Sequence, residues 1–198
     1  MTIGVLALQG DFDSHRRMLE SCGAHVITVR DPAALEECDA LVVPGGESTV
    51  MSRLCERYAL WEPLRTRIEE GMGVFGTCAG MILLARNIQG ATRNFEQKIL
   101  GALDIDVERN AYGAQIDSFE SDLQVPDIGE EPLHAVFIRV PRVTRCGAGV
   151  SVLAFHGDEP VVVRQGNVMA CSFHPEIAGD ARLHELWLST LDTSEEND

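Results

Sequence analysis

Gly73-Val74-Phe75-Gly76-Thr77-Cys78-Ala79-Gly80-Met81-Ile82-Leu83-Leu84-Ala85 runs from a short apolar strand through a tight corner into a helix, with a cysteine at the corner. Glycines on both sides of the corner permit a strained turn and keep the start of the helix open, so the thiol is expected to project to solvent. The sulfur also falls near a helix N-terminus, whose partial positive charge favours a thiolate. Taken alone, the same pattern fits a tight connection with a buried, inert cysteine.

Outward from this corner the first half alternates strand and helix. Ile3–Leu8, His25–Val29, Ala40–Val43 and Gly73–Phe75 read as strands, with helices over Asp13–Glu20, Val50–Arg57 and Trp61–Glu70. Such alternation predicts right-handed crossovers onto a mostly parallel sheet with helices on both faces. Sites in such folds lie outside the carboxyl ends of the strands. The second half is richer in strands: Leu103–Arg109, Ala135–Val140, Ser151–Phe155, Val161–Arg164 and Val168–Phe173. A closing helix over Ala181–Leu191 carries Leu183, Leu186, Trp187 and Leu191 on one face. Residues 1–191 therefore read as a single domain, and 192–198 as an acidic, disordered tail.

Two further strand exits carry chemistry. Val168–Phe173 leads into His174-Pro175-Glu176, where proline biases the preceding residue toward extended backbone and residues two apart share a side. An imidazole and a carboxylate emerging together suit a base and its orienting group. At Pro44-Gly45-Gly46-Glu47-Ser48-Thr49 the chain leaves a strand and enters a helix, with Ser48 or Thr49 as the expected N-cap. Such a loop can turn amides toward an anion or oxyanion, and no Gly-Lys-Ser/Thr follows to make it a phosphate loop.

Composition narrows the classes. The 198 residues are 45% hydrophobic with a formal charge of −15, which disfavours nucleic acid and anionic membranes as partners. No stretch approaches the ~20 apolar residues of a membrane span. Six cysteines without C-x-x-C spacing or paired histidines argue against zinc and disulfides, and for a reducing cytoplasm. Lys98 is the only lysine among sixteen basic residues; a GC-rich genome and adaptation to high salt are both sufficient causes. His15, His25, His134, His156 and His184 show no partner pattern and are assigned surface or core roles, and Cys171 is expected to pack inside.

The Gly-Gly-Glu-Ser-Thr, Gly-Thr-Cys-Ala-Gly and His-Pro-Glu loops, in that order, resemble those of the class I (triad) glutamine amidotransferases. Ile3-Gly4-Val5-Leu6-Ala7-Leu8-Gln9-Gly10, Val107-Glu108-Arg109-Asn110, Asp117-Ser118-Phe119-Glu120 and Phe137-Ile138-Arg139 make the chain more closely similar to the glutaminase subunits of pyridoxal 5′-phosphate synthase. The resemblance implies a three-layer α/β fold with extra antiparallel strands in the second half. It implies Cys78 as nucleophile, His174 as base and Glu176 as orienter in converting L-glutamine to glutamate and ammonia. Gly46, Glu47, Ser48, Arg109, Ile138 and Arg139 would line the glutamine site, with backbone amides of Gly46 and Ala79 as oxyanion donors. Which arginine meets the substrate carboxylate stays open. No cofactor is implied. The implied partner is a (β/α)₈-barrel synthase subunit in a large hetero-oligomer, with Gln9-Gly10 and the Gly45-Gly46 peptide as candidates for coupling to it. Asn87–Gly101 departs from the family pattern and receives no site residue. The glutaminase of imidazole glycerol phosphate synthase and a non-catalytic binding module of the same fold are the alternatives.

Overall fold

Nine elements build the alternating first half: β1 (Thr2–Leu6), α1 (Phe12–Ser21), β2 (His25–Val29), α2 (Pro32–Glu36), β3 (Ala40–Val43), α3 (Ser48–Arg57), α4 (Trp61–Glu69), β4 (Gly73–Thr77) and α5 (Ala79–Leu84). The remainder comprises β5 (Ala85–Gln89), β6 (Leu103–Glu108), β7 (Ser118–Leu123), β8 (Leu133–Ile138), β9 (Arg142–Cys146), β10 (Ser151–His156), β11 (Glu159–Gln165), β12 (Val168–Cys171), α6 (Pro175–Ala178) and α7 (Arg182–Asp192). This computed structural model describes residues 1–90, 96–109 and 118–192. The acidic tail beyond Asp192, and Asn110 and Asp117 of the motifs quoted above, lie outside the described residues.

Among the described residues the central sheet has the order β10-β11-β12-β4-β3-β1-β2. From β12 to β2 every pairing is parallel, and β10 and β11 add an antiparallel edge. Two small sheets, β5-β6-β9 and the β7-β8 hairpin, complete the strand-rich half. The mostly parallel sheet with helices on both faces and antiparallel additions is the architecture the sequence predicts.

Strand alternation divides the buried side chains into two cores. Leu41, Val43 and Val74 face one side of the sheet with Leu35, Met51, Leu64 and Met81 from α2 to α5, and with Leu103, Ile105 and Val107 of β6. Ile3, Val5, Val42, Phe75 and Met169 face the other side with Leu19 of α1, Leu183 and Trp187 of α7, and Phe137 of β8. Both faces are covered, which is why the parallel strands read as near-continuous apolar runs.

Local differences from the sequence expectations have identifiable causes. α3 begins at Ser48 because Glu47 is its N-cap: its carboxylate accepts from the Thr49 and Val50 amides at 3.0 and 2.9 Å. Neither Ser48 nor Thr49 fills that position. α2 escaped the periodicity reading because it is five residues long, although Asp31 caps it through the Ala34 amide and Pro32 opens it. β5, β7 and β9 carry exposed, polar residues on one side, so no apolar run marks them. β12 stops at Cys171, and β8 stops before Arg139, whose φ of +48° leaves the extended region.

The corner between β4 and α5 depends on close backbone approach. A Cβ at Gly80 would overlap the Val43 carbonyl of β3, and one at Gly76 would stand 2.8 Å from the Gly80 carbonyl carbon. Gly80→Ala is therefore expected to lower the unfolding free energy by about 1–3 kcal/mol. Gly149→Ala, whose Cβ would meet nothing nearer than Gln165 at 3.4 Å, should stay within about 0.5 kcal/mol of wild type. Urea unfolding of the two variants measures the contrast.

Candidate active site

Loops after β1, β3, β4, β8 and β12 enclose a cleft of about 360 Å³ lined by Gln9, Gly46, Glu47, Ser48, Cys78, Ile82, Arg109, Ile138, Arg139 and His174. Eight of these are residues that sequence reasoning singled out for catalysis or glutamine binding. Glu176 sits behind His174, and Ala79 opens α5 beside Cys78.

Cys78 holds a strained backbone, φ +48° and ψ −102°, a conformation that costs a non-glycine residue about 1–3 kcal/mol. Packing enforces it: the Cys78 amide donates to the Cys171 carbonyl at 2.9 Å, and its own carbonyl accepts from Ile82 as α5 starts. The residue is only 5% exposed. The expectation of a thiol projecting to solvent is thus corrected, because α5 and the loop after β3 close over the corner and leave the cleft as its outlet.

His174 caps α6, and its amide donates to the Val136 carbonyl at 2.9 Å. The ring donates through Nδ1 to Glu176 Oε1 at 2.8 Å. This pairing does not arise from strand alternation as the sequence reading supposed. Pro175 and Glu176 already belong to α6, and the short helical turn folds the carboxylate back onto the ring. Gly45 lies flush against the imidazole, since a Cβ there would stand 2.5 Å from His174 Cε1 and 3.4 Å from the Cys78 Cβ. Burial opposes a charged imidazole, but hydrogen bonds to Cys78 and Glu176 outweigh it and lift the His174 pKa to about 10. Burial likewise works against the Glu176 carboxylate, and the imidazoles of His15 and His174 more than offset it, holding the group well below the usual carboxylate range.

On the opposite wall, Arg109 donates to Gln97 Oε1 at 2.8 Å and Thr49 Oγ1 at 3.0 Å, and pairs with Glu47 at 3.5 Å. Ser48 Oγ donates to the same Gln97 oxygen at 3.3 Å. Gln9 Oε1 accepts from the Glu47 amide at 2.7 Å, and a Cβ at Gly10 would overlap the Gly45 carbonyl. Glycines at 10, 45 and 46 therefore allow two loops to touch backbone to backbone.

Sequence reasoning missed four residues that contact this machinery. Gln97 lies in the 87–101 stretch from which no site residue was drawn. Thr77, His15 and His184 form a buried group behind Glu176: His15 Nδ1 meets His184 Nε2 at 2.9 Å, and His15 Nε2 faces Thr77 Oγ1 at 3.1 Å. No local pattern could have joined α1 to α7 in the sequence.

A glutamine amidotransferase profile spans nearly the whole chain, matching residues 5–193. The chain belongs to the SNO glutamine amidotransferase family. It is 52% identical to the Pyridoxal 5'-phosphate synthase subunit PdxT of Pelotomaculum thermopropionicum over 95% of this chain and 94% of that one. It is 53% identical to the protein of the same name from Nocardioides sp. over 96% of each. A solved glutamine amidotransferase structure superposes with a TM-score of 0.89 at 50% identity, covering 96% of this chain and 98% of that one. In this SNO family member the Cys78 corner, the His-Pro-Glu turn and the Gly-Gly loop meet at one cleft.

The buried histidines give a pH signature. Burial first, then the neighbouring His15, push His184 down to about 3, so it is neutral in the folded chain. An unfolded histidine titrates near ~6.5. Between these values the unfolded chain holds a proton that the folded chain lacks, so stability rises with pH, by up to about 1.4 kcal/mol per unit. The gain in unfolding free energy from about pH 4.5 to about pH 6.0 should be about 2 kcal/mol smaller in His184→Phe than in wild type. Urea titrations at the two pH values test this.

Proposed function

We propose that this chain hydrolyses L-glutamine to L-glutamate and ammonia through a Cys78 thioester and passes the ammonia to a synthase subunit that makes pyridoxal 5′-phosphate. The observation that carries the reading is the convergence of Cys78 and the His174–Glu176 pair, 2.8 Å apart, on one cleft with the Gly45-Gly46 loop. The name shared by the relatives, Pyridoxal 5'-phosphate synthase subunit PdxT, supports that destination for the ammonia.

In the first half-reaction His174, whose raised pKa favours the protonated ring, holds the proton taken from the Cys78 thiol while the sulfur attacks the side-chain carboxamide carbon. The oxyanion that forms is met by the backbone amides of Gly46 and Ala79, the latter at the first turn of α5. Collapse breaks the C–N bond, and His174 returns the proton to the departing ammonia. Water then loses a proton to His174, attacks the glutamyl thioester and breaks the C–S bond, giving glutamate and regenerating the thiol. Glu176 fixes the imidazole so that its other nitrogen faces the sulfur throughout.

Recognition of glutamine is assigned to Gly46, Glu47, Ser48, Arg109, Ile138 and Arg139. Arg109 is already held by Gln97, Thr49 and Glu47. Arg139, which lines the cleft, is assigned to the substrate α-carboxylate. Ile138 contributes backbone groups, its side chain having no polar atom. The six cysteines are free, and among the described residues no helix is long and apolar enough to cross a membrane. These features support a cytoplasmic assembly in which residues 1–191 act as one glutaminase domain docked on a (β/α)₈-barrel synthase in a larger hetero-oligomer.

Glutamate release assayed with the synthase present tests the assignment. Cys78→Ala should lose nearly all activity while still co-eluting with the synthase; retained ammonia release would sink the nucleophile. The wild-type chain alone should turn over glutamine poorly, and equal rates with and without the synthase would refute the coupling.

A further inference from the structure

The contacts of Glu176 do not end at the hydrogen bond from His174: its second oxygen has no hydrogen bond of its own and faces a second imidazole. That oxygen, Oε2, lies 3.3 Å from His15 Nε2, and both side chains are fully buried. His15 comes from α1, 161 residues away in the sequence, and is backed in turn by His184 of α7 at 2.9 Å. None of the triad chemistry described above uses either ring.

Proton placement follows from the partners. A carboxylate only accepts, so an N–H on His15 Nε2 suits the neighbouring Glu176 Oε2, and Thr77 Oγ1 accepts it at 3.1 Å. His184 is neutral and has one N–H. Its Nδ1 is buried with no hydrogen-bond partner. A buried orphan N–H is rarer than an unused acceptor, so the His184 proton belongs on Nε2, where it donates to His15 Nδ1. That leaves His15 protonated on the side of Glu176 and Thr77. A single set of tautomers thus gives every buried N–H in the group an acceptor.

We propose that His15, its tautomer fixed by His184, is a positioning residue for glutamine hydrolysis that holds Glu176 from behind so that its other oxygen stays on His174. The proposal rests on the glutaminase reading above. Groups facing Glu176 are His174 from its own turn, His15 from α1, His184 from α7 and Cys171 from β12; Arg17 lines a surface groove with Glu176. Cys171 is kept a neutral thiol by burial, and His184 is neutral, so His15 and His174 supply the stabilisation. Without His15, Glu176 takes up a proton at higher pH, and a protonated carboxyl holds the imidazole less firmly.

The experiment compares His15→Leu with His15→Gln in the assembled glutaminase–synthase complex. A glutamine can place its Nε2 amide hydrogens where the imidazole Nε2–H lies. His15→Leu is expected to lower kcat about ten- to a hundredfold, the scale on which outer partners of ligating groups act, with KM little changed. The acid limb of its kcat/KM profile should move to higher pH, and His15→Gln should restore both rate and limb. Equal losses in the two variants with an unmoved acid limb would overturn the role, leaving His15 as packing. If His15→Leu does not fold, ¹⁵N-histidine NMR of the wild-type chain reads the tautomers directly. Protons on Nε2 of both His15 and His184 support the proposal; an unprotonated His15 Nε2 overturns it. Wild-type inactivity with the synthase would overturn the glutaminase reading and this role with it. A wild type that is active and matched by His15→Leu would overturn the role alone.

Discussion

Glu176 is a carboxylate withdrawn from water, and the surrounding structure is organised to make that tolerable. An unpaired buried charge costs several kcal/mol, so donors must converge on it from whatever elements lie near. Here His174 donates from the turn at the end of β12, and the His15 imidazole of α1 stands 3.3 Å from the other oxygen. The same pairing sets the imidazole that faces Cys78. Docking of α1 and α7 on one sheet face therefore bears on the carboxylate behind His174: an element displaced there withdraws an imidazole from beside it.

The second constraint is distance between backbones. Gly10 touches Gly45, Gly45 touches the His174 ring, and Gly80 touches Val43. Each contact removes the room a Cβ would need, and together they draw the ends of β1, β3, β4 and β12 to one place. In a doubly wound sheet these carboxyl ends are where loops from different crossovers can meet. The strained Cys78 corner persists only because these neighbours hold it on every side. A looser set of loops would let it relax and lose the alignment with His174.

How much of this was legible in the sequence depends on whether a signal is local. β1, β3, β4 and β12 are buried on both faces, so they appear as plain apolar runs, and the alternation with α1, α3 and α4 follows. Cys78, His174 and Gly46 stand beside glycine or proline punctuation that marks strand exits, which made them readable as site residues. β5, β7 and β9 lie in small outlying sheets with one polar side, and their patterns are too weak to stand out. His15, His184 and Gln97 carry no local mark at all; the apolar face of α7 read as a simple packing surface with His184 as filler. Glu47 shows the limit within a recognised motif. Its residue type was noted, yet its work as the cap of α3 became visible only when the Thr49 and Val50 amides were seen pointing at its carboxylate.

The overall charge of −15 and the contents of the cleft act at different ranges. Screening at physiological salt confines charge effects to about 8 Å, so a small ligand in the cleft responds to Arg109, Arg139, His174 and Glu47 rather than to the acidic surface. Glu47 is already engaged by the α3 amides and by Arg109, and burial is outweighed by those backbone bonds in holding it ionised. In the reading proposed above, what remains for a ligand is a cationic group at Arg139 and the hydrogen-bonding groups around Cys78. Glutamine is a zwitterion without net charge, so it is neither drawn in nor repelled at long range. In that reading selectivity comes from contact: an amino acid lacking the side-chain amide would leave the proposed donors beside Cys78 without partners, and that loss is what a hydrogen-bonding site uses to discriminate.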